Sequence, residues 1–146
     1  MPLIEVDMEQ ARELTPVGDG VYECVINKEP EFFKASDKAK HPGSPNMKWE
    51  MTVADIEGQE EQKGAKLFRN TPLTGEGAGI TLQMLDALKV AYEKETIFDE
   101  SSGKERIRTI RFNTSDCLGG RLLVTVKQKE YEGRLTSNVT KVSQLV

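Results

Sequence analysis

Met47-Lys48-Trp49-Glu50-Met51-Thr52-Val53-Ala54 is the stretch on which the fold turns. Met47, Trp49, Met51 and Val53 alternate with Lys48, Glu50 and Thr52, the period of two that sends successive side chains to opposite faces of a strand. One face then belongs to a core and the other to solvent or a ligand. Upstream, Val21-Tyr22-Glu23-Cys24-Val25-Ile26-Asn27 is rich in β-branched and aromatic residues and reads as an earlier strand, with Tyr22, Cys24 and Ile26 on one side. It follows turn chemistry at Thr15-Pro16-Val17-Gly18-Asp19-Gly20. Residues 1–16 are expected to form an arm, with a short helix around Met8 to Leu14, and residues 17–146 a single domain.

Between the two strands, KASDKAKHPGSPN (residues 34–46) is small, polar, lysine-rich and interrupted by two prolines, which predicts a mobile loop. Downstream, the polar EGQEEQKG (57–64) predicts a hairpin loop, and residues 65–73 a third strand. Glycines 75, 77 and 79 break that strand. Ile80, Leu82, Leu85, Leu88 and Val90 then follow at helical spacing as far as Tyr92, with Thr81 or a neighbour as the cap. Residues 93–106 are charged and read as a loop or short ribbon, with a brief strand at 108–112. Two strong strands, 121–127 and 135–142, close the chain around a hairpin in which Gly133 supplies a left-handed position.

The order β-β-β-α-β-β predicts a mainly β protein, an OB-fold: a five-stranded Greek-key barrel with one α-helix between strands 3 and 4. The same elements left open would make an α+β sandwich.

Composition narrows the function. No apolar run approaches the roughly 20 residues that span a bilayer, and the acidic start MPLIEVDMEQ lacks the basic-then-apolar pattern of a secretory signal, so a cytoplasmic location without membrane association is expected. Cys24 and Cys117 are then expected to be reduced, partly buried thiols. With His41 the single histidine and no CxxC, neither a metal site nor a cofactor is expected, and no nucleophile-base constellation suggests an enzyme. Gly75-Glu76-Gly77-Ala78-Gly79 precedes a helix but lacks the lysine of a phosphate loop, and Glu76 would repel an anion. The net charge of −4 hides an asymmetry: residues 104–146 hold nine basic residues against four acids, an excess of +5 that leaves −9 elsewhere. A local positive surface attracts polyanions even on an acidic molecule.

Four stretches carry a resemblance: NMKWEMTV (46–53), GAKLFRNTPLT (64–74), ITLQMLDALKV (80–90) and SDCLGGRLLVTVKQKEYEGRLTSNVTKV (115–142). In that order they resemble a family of phage and prophage proteins, long catalogued as a domain of unknown function and considered OB-fold single-stranded-DNA-binding proteins. There an aromatic-bearing strand, a leucine-rich helix and a tyrosine-glycine hairpin recur in the same succession. The likeness covers roughly residues 17–146 and departs in the 34–46 loop and the 93–106 insert. It implies single-stranded DNA as the partner, in phage replication or recombination alongside other proteins of those processes, within the host cytoplasm.

Single strands are held by cationic grooves that follow phosphates and by flat rings on which bases stack. The candidates are Phe33 with Lys34; Lys48 and Trp49; Lys66, Phe68 and Arg69; and, around the last hairpin, Lys127, Lys129, Tyr131 and Arg134. Phe32 and Phe33 cannot both point inward from one strand. Trp49 lies on the face read as core, yet middle strands are also where OB-folds place stacking rings. Phe68 alternates with Leu67, so one of the two faces out, and Arg106, Arg108 and Arg111 are further cations. The expected function is non-catalytic, sequence-tolerant single-strand binding, with self-association open. The alternative is a protein-interaction or assembly module on a β-barrel scaffold, its acidic 57–61 segment docking a basic partner.

Overall fold

The computed structural model describes residues 3–6 and 17–145, apart from the Tyr131 side chain. The expected helix near Met8 and most of the arm lie outside the described residues. The chain forms β1 (Gly20–Ile26), β2 (Glu31–Lys34), β3 (Pro45–Val53), β4 (Lys66–Pro72), α1 (Ala78–Leu88), β5 (Glu93–Asp99), β6 (Lys104–Arg111), β7 (Arg121–Tyr131) and β8 (Arg134–Ser143). The described residues are mainly β with one α-helix, as expected, but they form eight strands rather than five.

Six strands make one antiparallel sheet, ordered β2-β3-β1-β7-β8 with β4 on the other side of β3. Both β1 and β2 lie along one edge of β3: β1 pairs with Met51–Val53 and β2 with Pro45–Lys48. The break between them is bridged by Asn27, whose Nδ2 donates to Glu50 Oε2 at 2.6 Å. The sheet curls until β4 and β8 approach each other, but among the described residues no hydrogen-bonded pairing closes that seam. The barrel is therefore open.

The alternation along β3 is the one read from the sequence. Met47, Trp49, Met51 and Val53 are buried, and Lys48, Glu50 and Thr52 face outward. Cys24 and Ile26 of β1, Leu67 of β4, and Leu122, Val124 and Val126 of β7 complete the wall of the core. Trp49 is 0% exposed, and its indole Nε1 donates to the buried Thr71 hydroxyl at 2.8 Å. A buried Trp needs that acceptor, because an unpaired N–H in an apolar interior loses its hydration without replacement.

The helix packs on β4, β7 and β8 through Met84, Leu85 and Leu88, and so covers one end of the open barrel. Its expected cap is corrected. Gly77 stands at the start without a side-chain hydrogen bond, while Thr81 donates instead to the Pro72 carbonyl at 2.6 Å. Gly77 is required by space, since a Cβ there would lie 2.7 Å from Pro72 Cγ. The helix stops at Leu88 rather than Tyr92, because Lys89 adopts the left-handed conformation (φ 58°) and turns the chain away. Val90 and Tyr92 still pack against the core, which is why the apolar spacing ran on.

The charged segment after the helix is a separate two-stranded ribbon, β5-β6. The final strands are longer than expected: Lys129 and Tyr131 lie on β7, and the connection is Glu132-Gly133 alone, both at positive φ (51° and 78°). Those angles match the two-residue turn whose twist suits a hairpin.

Two outcomes follow. Thr71→Val, which keeps the volume but removes the acceptor, should lower stability by about 1–3 kcal/mol, measured by urea denaturation with Trp49 emission as the probe. Burial, with a smaller contribution from neighbouring carboxylates, pushes the Cys24 thiol from 9.0 to about 12 and the Cys117 thiol from 9.0 to about 11. The folded state resists a deprotonation that the unfolded chain undergoes near 9.0, so stability should be level below that pH and fall as pH rises toward 11–12. Denaturation midpoints collected from pH 7 upward, compared with a Cys24→Ala and Cys117→Ala double variant, measure this.

Candidate nucleic-acid interface

The outer face of β2, β3 and β4 is built by register. Phe33 stands opposite Asn46, Glu31 opposite Lys48, Lys48 opposite Asn70, Glu50 opposite Phe68, and Thr52 opposite Lys66. Because the intervening residues turn inward, Phe33, Lys48, Phe68 and Lys66 share one surface. Phe68 is 50% exposed although it is a large apolar ring in mid-strand, and Lys48 Nζ lies 5.4 Å from its ring centroid. That distance is within the range of a cation–π contact. A half-exposed ring with an ammonium beside it pairs a surface on which a base can stack with a counter-charge for a phosphate.

Acidic residues stand on this face too, each with a partner. Glu50 accepts from Asn27, and Glu31 is bound by Lys28 Nζ at 2.8 Å. The hydrogen bond and charge of Lys28 hold the Glu31 carboxyl below its usual range, and Glu31 raises the Lys28 ammonium in return. Both side chains are solvent-exposed.

The expected candidates divide. Phe33, Lys48, Lys66 and Phe68 come together as described. Trp49 does not: it is sealed on the core side and offers no ring to a base. Arg69 is also corrected. It shares the inward face with Leu67 and Thr71, is half-buried, and points its Nη1 at Met84 Sδ, 3.5 Å away. Burial there lowers its pKa. Lys34 is exposed but alternates to the side opposite Phe33. Phe32, on that same side, is 59% exposed, a ring the sequence left undecided between surface and core.

Lys127, Lys129 and Arg134 are exposed on the β7-β8 hairpin. Lys127 pairs with Asn138, Lys129 with Thr136 and Tyr131 with Arg134, so Lys127, Lys129 and Arg134 share the hairpin's outer face, where Thr125 and Lys141 also pair. The Tyr131 side chain lies outside the described part. This hairpin is not adjacent to Phe68 in the sheet: β1 and β3 intervene on one side and the unpaired β4/β8 seam on the other. The basic C-terminal segment is divided rather than a single patch, with Lys104, Arg106, Arg108 and Arg111 on the β5-β6 ribbon and Arg121, Lys127, Lys129, Arg134 and Lys141 on β7 and β8. Arg121 is bound to Glu23 at 2.6 Å, and Arg106 and Arg108 are paired with Asp99 and Glu95.

The lysine-rich loop between β2 and β3 is tied at its neck, where Ala35 N donates to Ser44 O and Gly43 N to Ala35 O, each at 2.9 Å. Lys38 and Lys40 are exposed beyond that neck. Among the described residues no group of three His, Cys, Asp or Glu side chains is placed to hold a metal, and no helix is long and apolar enough to cross a membrane. Comparison with protein-family models and with curated proteins gives no match.

Proposed function

We propose that this chain is an OB-type barrel that binds single-stranded DNA without marked sequence preference, across the outer face of β3 and β4. The observation that carries the reading is Phe68, half-exposed at mid-strand with the Lys48 ammonium 5.4 Å above its ring. The pairing pattern supports the fold. β1 lies between β3 and β7, β4 flanks β3, β8 flanks β7, and the helix follows β4, which is the OB succession once β2 and the β5-β6 ribbon are set aside as additions. OB-folds bind oligonucleotides on the two middle strands, here β3 and β4, and between the loops after the first strand and before the last. Those loops correspond to the lysine-rich 35–44 segment and the β7-β8 turn. The resemblance to phage single-strand-binding proteins supports a role in phage DNA replication or recombination, and the chemistry described calls for no catalytic step.

The test is fluorescence anisotropy of a labelled oligo-dT of about 30 nucleotides, with a duplex as competitor, at about 50 and about 200 mM salt. Binding should weaken steeply with salt and favour the single strand. Phe68→Ala should cost about 1–3 kcal/mol of binding free energy, while Arg69→Ala, measured on folded protein, should leave affinity near wild type. Trp49 emission should stay unquenched at saturation. No anisotropy change at tens of micromolar protein in low salt, or an unchanged affinity in Phe68→Ala, would overturn the reading.

A further inference from the structure

The β5-β6 ribbon has an unsatisfied apolar stripe that its sequence conceals. Ile107 and Ile110 are three apart and would normally fall on opposite faces of a strand. The register shifts between Glu95 and Thr96: Glu95 pairs with Thr109, and Thr96 with Ile107, leaving Arg108 as an extra residue. This bulge re-aims the strand, so that Ile107 and Ile110 share a face with Phe98, Thr96, Lys94 and Glu105. Ile110, at the base, packs against the core. Further out, Phe98 is 62% exposed and Ile107 40% exposed. A two-stranded ribbon has no second layer of its own and is marginal alone in water.

We infer that this stripe is the contact surface for a second copy of the same chain. Two observations select that occupant. Residues 93–111 hold five acidic and five basic side chains, so the ribbon is neutral and a poor track for phosphates. The opposite face carries most of the ribbon's charge and engages part of it internally, through Arg106–Asp99 and Arg108–Glu95. On the apolar face only two charges remain, at opposite ends: Lys94 beside Ile110 near the base, and Glu105 beside Phe98 near the tip. A two-fold axis that lays two ribbons face to face, end for end, carries Lys94 of each copy over the Phe98–Glu105 pair of the other. The surface is self-complementary, as a two-fold contact requires. It is small, so the dimer is weak and concentration-dependent.

Sedimentation velocity of the whole chain without nucleic acid, from about 10 µM to about 1 mM, reads this independently of DNA binding. The wild type should move toward twice the monomer mass. Phe98→Asp should remain monomeric at the highest concentration, and Ile107→Thr, which suits a strand, should weaken the dimer. Lys94→Glu and Glu105→Lys should each weaken it about tenfold, and the two together should return it to within about threefold of wild type. Unchanged Trp49 emission confirms that each variant is folded. A wild type that stays monomeric throughout, dimers that survive Phe98→Asp, or a double exchange no better than the single ones would overturn the inference.

Discussion

The arrangement rests on the alternation along β3. That strand has neighbours on both edges and along most of its length, so its backbone is held and its side chains have no choice of face. Trp49 therefore fills the interior, anchored through Thr71 on β4, and Lys48 and Glu50 are carried to the surface. Shifting the register by one residue would bury two charges and expose the indole. The same constraint that secures the core sets the Lys48 ammonium above Phe68, since the pairing of Glu50 with Phe68 places that ring beside it. Stability and the candidate interface are two sides of one strand.

Much of this was legible from the residues, and the failures have identifiable causes. The strands at β1, β3, β4, β7 and β8, and the helix between β4 and the ribbon, carried clear periodic signals. The ribbon did not, because the bulge at Arg108 breaks the period of two and mixed charges dilute both strands. β2 is four residues long, too short for periodicity to separate Phe32 from Phe33. At the site, Lys48 and Lys66 could be placed by alternation from Trp49 and Leu67, and Phe68 followed once Leu67 was assigned inward. Arg69 misled for the same reason. A charged side chain in a strand suggests solvent, but its parity with Leu67 and Thr71 sends it inward, where its long stem reaches Met84 at the barrel's edge. Which end of the basic C-terminal segment met which partner depended on contacts far apart in sequence, such as Arg121 with Glu23, and no local pattern encodes those.

Some of the polar residues that looked like loop filler organise the barrel. Gln59 lies in the segment read as a polar turn, yet its amide accepts from Glu23 N and donates to both Glu23 O and Ala54 O. It supplies the Glu23 N–H with an acceptor beyond the end of the pairing of β1 with β3 and joins Ala54 N at the Glu23 carbonyl, and so limits fraying at that corner.

The seam between β4 and β8 has its own consequence. Wherever two neighbouring strands share no ladder, the amides that face the gap are protected by side-chain cover alone, and the least costly fluctuation of the barrel is a parting along that line. The helix bridges both strands from one end, so such a parting would widen toward the other, as a cuff opens away from its button. Deuterium uptake in the native state would then run as a gradient along β4 and β8, fastest at the end remote from α1, while β1 and the paired part of β3 exchange last.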